Sequence, residues 1–185
     1  YDFYRSTLDF TESLTEDKSL LYRLNVAYEN ADSFRDFNES ESIFIAPALT
    51  WRIGSRTTLT TEFEYQNYEY VFDRGLLPSE EFLDLPISRF LGEPDVNDAD
   101  FRSFYGTYNF EHKFSDNWKF RQGFNVVDIK GNTEYVTTSN FEQPFLEEDG
   151  RTLPRGAQRS DESSENYTLQ NEFFGKFNTG SLRHN

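Results

Sequence analysis

The sequence LLYRLNVAYEN at residues 20–30 alternates apolar and polar side chains over its whole length. Successive side chains of a β-strand point to opposite faces, so one face of this strand is apolar and the other is mostly polar. The apolar face comprises Leu20, Tyr22, Leu24, Val26 and Tyr28. The stretch is longer than most soluble strands. It matches the roughly 9–11 tilted residues of a membrane-spanning barrel strand. The pattern therefore predicts a strand of a membrane-spanning β-barrel.

The same alternation recurs along the chain and predicts seven strands. They span residues 2–11, 19–30, 41–52, 57–71, 101–114, 118–129 and 165–177. Pro47 cannot donate a ladder hydrogen bond, so a bulge or a local break is expected there. Residues 181–185 are expected to begin an eighth strand.

The connections between these strands alternate between short and long. Short turns are predicted at 12–18, 53–56, 115–117 and 178–180, and longer connections at 31–39, 73–100 and 131–163. Alternate connections of an antiparallel meander lie at the same end, so the long loops share one rim. Outer-membrane barrels show this asymmetry, whereas long irregular connections are uncommon inside compact soluble domains.

The composition is compatible with a barrel and excludes other classes. Aromatic residues make up 18% of the 185 residues, with 20 Phe, 11 Tyr and 2 Trp, and barrels use such residues in interfacial girdles. Mean hydropathy is −0.78, and no run of 18 apolar residues could form a spanning helix. A barrel needs no such run, because only every second residue faces lipid.

The net charge of −15 argues against a nucleic-acid partner, since phosphate binding requires a basic face. The chain has no Cys, which excludes disulfides and thiolate metal sites. The acidic connection 73–100 contains carboxylates that suit Ca²⁺, but it has no spaced calcium motif, and a solvated loop is the preferred interpretation. We expect no metal site and no cofactor.

No catalytic constellation is apparent, so an enzyme is not predicted. His112 and His184 are far apart in sequence, and His112 has the register of the lipid-facing side near a turn. Glu62 and Glu64 share the opposite face of one strand, where contact with water is a better interpretation than a catalytic dyad. No nucleophile motif or phosphate-binding glycine loop is present.

Five blocks of sequence resemble the barrel of TonB-dependent siderophore receptors of the ferrichrome type. They are LLYRLNVAYENADSFRDF (20–37), FIAPALTWRIGSRTTLTTEFEYQNYEYVFDRGLLP (44–78), SRFLGEPD (88–95), FEHKFSDNWKFR (110–121) and FNTGSLRHN (177–185). Each block is short, but their order on alternating strands makes the resemblance fairly specific.

The resemblance implies a 22-stranded outer-membrane barrel with an N-terminal plug. Such receptors import ferric siderophores with energy from TonB, which contacts the plug region. Residues 1–185 would then be a partial barrel of seven to eight antiparallel up-and-down strands, with the plug domain and the other strands outside this sequence. Its unpaired edges and uncovered apolar face predict that it does not fold stably alone.

Candidate ligand-binding residues follow from the register on the inward face near the long-loop rim. Tyr68 and Tyr105 satisfy this condition, and Phe90 in the long connection is a weaker candidate. The alternative is that these aromatic rings only pack in loops or against the plug. Two other functions also stay open, namely a passive outer-membrane porin and a soluble β-rich binding domain.

Overall fold

The computed structural model describes residues 2–139 and 145–184, and the strands dominate it. They are β1 (Phe3–Ser13), β2 (Leu20–Asp32), β3 (Glu39–Ile53), β4 (Thr57–Tyr70), β5 (Asp98–Lys113), β6 (Trp118–Thr138), β7 (Arg155–Gly175), β8 (Phe177–Thr179) and β9 (Leu182–His184). Strands β1 to β7 form one antiparallel sheet in sequence order, and β8 pairs with β9. The predicted all-β, up-and-down architecture is confirmed.

The register carries the alternation of residues 20–30 across the whole sheet. Val26 lies opposite Leu8 on one side and Ile45 on the other, and Tyr65 lies opposite Phe104. We call this apolar side the outer face and the opposite, mostly polar side the inner face. Outer-face side chains are open to solvent in the isolated chain; Phe173, for example, is 62% exposed. A lipid-facing surface has this character.

Strands β6 and β7 are much longer than predicted, at 21 residues each. The expected connection 131–163 was wrong, because its ends belong to these strands and only residues 139–154 connect them. The outer face loses its apolar residues here, with Lys130 opposite Ser163 and Asn132 opposite Asp161. Backbone pairing continues without the alternation and extends β6 about 30 Å beyond the apolar band. Pro144, part of the predicted connection, lies outside the described residues.

The structure differs from the prediction in detail at three other places. Strand β5 begins at Asp98, so the long connection covers residues 71–97 and includes one 3-10 turn at Glu80–Phe82. The pairing of β3 with β4 skips Ala46 and Pro47 without a change of register, so a local break occurs there and not a bulge. At the C-terminal end, Leu182–His184 folds back on β8, and Asn185 lies outside the described residues.

The small core lies at the long-loop end. Its buried apolar side chains are Phe82, Phe90, Ala99, Tyr135 and Phe145. The long connection therefore packs onto the long-loop ends of β5 and β6, which we call their upper ends. Among the described residues, the structure contains no helix with the length and apolar character needed to cross a membrane.

Candidate ligand-binding site

An aromatic surface covers the inner face at the long-loop end. Tyr68 and Tyr70 project from β4 with ring centroids 5.0 Å apart, and Tyr70 stacks on Phe101 of β5 at 6.2 Å with an angle of 11° between the rings. Just beyond β4, Phe72 stacks on Tyr135 of β6 at 4.2 Å. We call these five residues the aromatic wall. Offset ring pairs of this kind hold side chains in fixed orientations.

Gly131 of β6 makes room for the wall. It lies opposite Phe101, and a Cβ atom at this position would lie only 2.7 Å from the Cε1 atom of that ring. The phenylalanine ring therefore lies over the glycine backbone. A side chain here would push the ring away from Tyr70.

A cavity of about 420 Å³ adjoins Tyr68 on the inner face. Its lining comes from four strands and combines apolar, amide and charged groups: Arg5, Ala27, Glu29, Ser42, Phe44, Gln66 and Tyr68. Arg5 and Glu29 form an ion pair of 3.0 Å that is largely open to solvent. Four of the seven lining residues are polar or charged, so the lining is more polar than that of a typical small-molecule site.

The long connection 71–97 is held above the inner face by Arg35 of the β2–β3 loop. Arg35 forms an ion pair with Asp73, whose side chain is only 4% exposed. It also donates to the backbone carbonyls of Ile87 at 3.0 Å and Arg89 at 2.8 Å. A bidentate guanidinium contact of this kind fixes both partners in one geometry.

Asn97 joins the same connection to β6. Its Nδ2 atom donates to the carbonyls of Phe72 at 2.8 Å and Val136 at 3.1 Å. Its Oδ1 atom accepts from the backbone N–H groups of Glu93 at 3.0 Å and Val136 at 2.8 Å. The residue is 3% exposed. A buried amide with its hydrogen-bonding groups satisfied is a rigid link between the segments that it contacts.

Two further arginines fix the upper ends of the strands. Arg155 of β7 donates to the carbonyl of Gly92 at 2.8 Å and to Glu93 at 3.2 Å. Arg74 lies over the rings of Phe72 and Tyr135, at 5.5 and 5.6 Å from their centroids. These cation–π contacts connect the loop to the aromatic wall.

The β6–β7 connection has its own local order around Asp149. Its carboxylate accepts from the Thr152 hydroxyl at 2.6 Å and from the backbone N–H groups of Arg151 and Thr152 at 2.9 Å. The Thr152 hydroxyl, followed by these two amides, lowers the pKa of Asp149 below its ordinary value.

The three predicted site residues occupy different environments. Tyr68 lies in the aromatic wall and is 39% exposed. Tyr105 lies on the inner face four residues further along β5 from Phe101, and its hydroxyl donates to Asn125 at 3.1 Å. Phe90 is buried in the loop core, with its ring centroid 6.2 Å from that of Phe37. Their roles in ligand binding stay a prediction.

Sequence reasoning missed the rest of the wall. The alternation of Tyr68, Tyr70 and Phe72 in YEYVF places all three rings on one face, and this signal could have found two of them. Phe101 was assigned to a strand but not to the site. Tyr135 was missed because the end of β6 was predicted to be a loop.

The charged and titratable groups of the described chain form no metal site. Within residues 2–139 and 145–184, no three His, Cys, Asp or Glu residues are close enough to hold an ion together. His112 lies on the outer face, as its register predicted, with Nδ1 2.8 Å from the Thr57 hydroxyl. Glu62 and Glu64 lie on the inner face of β4.

Similarity to known proteins extends over the entire chain. The chain is 33% identical over 185 residues to the metal-pseudopaline receptor of Pseudomonas aeruginosa. The alignment covers 100% of this chain and 25% of that receptor. The chain is also 26% identical to the ferrichrome outer membrane transporter and phage receptor of Escherichia coli, over 98% of this chain and 27% of the relative. The chain thus spans about a quarter of the length of these relatives. No protein-family model matches it.

The sheet also matches a solved receptor barrel. The ferripyoverdine receptor of the outer membrane of Pseudomonas aeruginosa, bound to ferripyoverdine, superposes with a TM-score of 0.76 at 20% identity, over 97% of this chain and 24% of that one. This chain has the fold of an outer-membrane receptor barrel segment. The resemblance to siderophore receptors is confirmed. The relatives are receptors and transporters, in agreement with the prediction of a protein that is not an enzyme.

Proposed function

We propose that this chain is part of the barrel wall of a TonB-dependent outer-membrane receptor that imports ferric siderophores or related metal chelates. The observation that carries the proposal is the aromatic wall, which lies on the inner face below a loop held in place by Arg35 and Asn97. The similarity to chelate receptors along the whole chain supports it.

The geometry suits a chelate better than a small ion. A siderophore complex presents a broad organic surface around its metal, and stacked tyrosines offer a rigid contact area with polar hydroxyl groups at its edge. The adjoining cavity adds amide and charged groups. Residues 1–185 would supply one side of the binding cavity. The plug domain and the contact with TonB would come from other parts of the protein, and lipid would cover the outer face.

The test is uptake of radioactive iron by the full-length receptor that contains this segment. The receptor is expressed in a Gram-negative strain without its own siderophore receptors, in isogenic backgrounds with and without TonB. We expect uptake of a ferric chelate that requires TonB. Uptake that continues without TonB would indicate a passive porin and would contradict the proposal.

A matched pair of variants on β4 tests the role of the wall. Tyr68 faces inward and is 39% exposed, whereas Tyr65 faces outward and is 40% exposed. We expect Tyr68→Leu to weaken chelate binding about two- to tenfold, because one stacked ring contributes about 0.5–1.5 kcal/mol beyond its buried area. Tyr65→Leu should leave binding unchanged. Equal effects of the two substitutions would show that the wall does not contact the ligand.

A further inference from the structure

The negative charge of the chain is concentrated at one end of the sheet. Residues 29–41, 67–102 and 128–165, which comprise the long connections and the strand ends beside them, contain 23 of the 33 acidic residues and 8 of the 18 basic ones. The remaining residues contain ten of each and are neutral. Glu142 is one of these 23 and lies outside the described residues, so the described residues at the long-loop end carry a net charge of −14.

Most cations at this end already have acidic partners. Five of the eight pair with carboxylates: Arg35 with Asp73, Arg102 with Asp100, Lys130 with Asp128, Arg155 with Glu93, and Arg159 with Asp161. Arg74 lies over two rings of the aromatic wall. These contacts leave little positive charge to compensate an incoming anion, while the excess carboxylates stay exposed on the connections, as at Glu80, Glu81 and Asp84.

The carboxylates act through the negative electrostatic potential that they produce together. They do not form an ion site, since no metal-binding cluster exists among the described residues. A surface with charge of one sign raises or lowers the local concentration of charged ligands and changes their association rates by about 10- to 1,000-fold. Arg74 already covers Phe72 and Tyr135, but the ring of Tyr68 is 39% exposed and also attracts cations. Both effects favour ligands with a positive charge.

We propose that this segment selects for metal chelates with a net charge of zero or above and slows the capture of anionic chelates. The inference rests on the proposed function and names its substrate class. It concerns the contribution of residues 1–185 to the field at the entrance of the receptor.

The test uses three iron(III) complexes of one linear trihydroxamate. Three hydroxamates neutralise the ferric ion, so the terminal group alone sets the net charge: a free amine gives +1, an acetylated amine 0 and a succinylated amine −1. Association rates are measured by fluorescence quenching of the detergent-solubilised full-length receptor. At 10 mM salt, where the Debye length is about 30 Å, we expect the +1 complex to associate about tenfold faster than the −1 complex. Near 1 M salt the rates should converge.

Two triple variants with the same charge change identify the source of the effect. The first, Glu80→Gln, Glu81→Gln and Asp84→Asn, removes three exposed carboxylates from the long connection. The second, Glu12→Gln, Glu16→Gln and Asp116→Asn, removes three exposed carboxylates from the short-turn end. We expect the first variant to reduce the ratio of the +1 and −1 rates at least twofold and the second to leave it unchanged.

Equal rates for the three complexes, a faster anionic complex, or equal effects of the two variants would overturn the inference. Failure of all three complexes to bind would also overturn it. In that case the proposed function still stands if uptake of another ferric chelate depends on TonB. Loss of TonB-dependent uptake for every ferric chelate would refute the proposed function itself.

Discussion

The substitution Asn97→Ala removes the link between the long connection 71–97 and strand β6. Four hydrogen bonds of 2.8 to 3.1 Å disappear, and the backbone groups of Phe72, Glu93 and Val136 lose their side-chain partner. Each buried group left unsatisfied costs about 1–3 kcal/mol. The neighbouring cavity of about 10 Å³ has room for roughly one water molecule, which could replace some of these bonds. A net loss of about 3 kcal/mol for the closed loop is expected.

Hydrogen exchange of the full-length receptor measures this loss. A loss of 3 kcal/mol increases the open population about 100-fold, so the amides of Glu93 and Val136 should exchange about 100 times faster in Asn97→Ala. The exposed Asn166 of β7 provides the control substitution Asn166→Ala, which should change neither rate.

The variant Asn97→Asp separates the two halves of the interaction. It keeps the oxygen that accepts from Glu93 and Val136, but it loses both donors and introduces a buried charge. It should open the loop at least as far as Asn97→Ala at neutral pH. Unchanged exchange in both variants would refute the argument that this buried amide holds the connection in place.

Two further substitutions test the loop and the wall. Arg35→Ala should destabilise the closed position of the connection by about 3–5 kcal/mol, because it leaves the buried Asp73 carboxylate without its ion-pair partner. Protease cleavage between residues 71 and 97 should accelerate, and adding Asp73→Asn should partly restore protection; no recovery would contradict the ion-pair account. Gly131→Ala should displace the Phe101 ring and weaken chelate binding severalfold in a titration. The control Gly123→Ala should change binding little, because its Cβ would lie 3.4 Å from the nearest side-chain atom. Equal effects of the two substitutions would argue against the close contact between Gly131 and Phe101.

The sequence predicted those parts of the fold in which one face of a strand is apolar. Residues 20–30 lie on β2 with the expected faces, and the turn beside Gly54 connects β3 and β4 as expected. The prediction failed where both faces are polar, as in the upper halves of β6 and β7. Hydrophobic periodicity cannot mark a strand that extends into water on both sides, because neither face needs apolar residues.

The candidate site was predictable to the same extent. Tyr68 could be placed by register because it follows the alternation of β4. The positions of Phe90 and Asn97 depend on contacts between the long connection and distant strands, such as Phe90 with Phe37. Such contacts join residues far apart in sequence and leave no local pattern. Loop conformations of this kind are fixed by tertiary packing.

The strands and the long connections are stabilised in different ways. Outer-face side chains such as Leu8 and Phe173 are more than half exposed, and burying one apolar side chain of this size contributes about 1.5–3 kcal/mol. The strand region is therefore incompletely buried by its own contacts, since β1 and β7 each pair on one side only within the described sheet. The long connections instead have their own buried rings, such as Phe82 against Phe145, and their own ion pairs. Substitutions at Asn97 or Arg35 should consequently open the loop without unfolding the barrel, so a change in chelate binding in these variants would report on the position of the loop and not on loss of the fold.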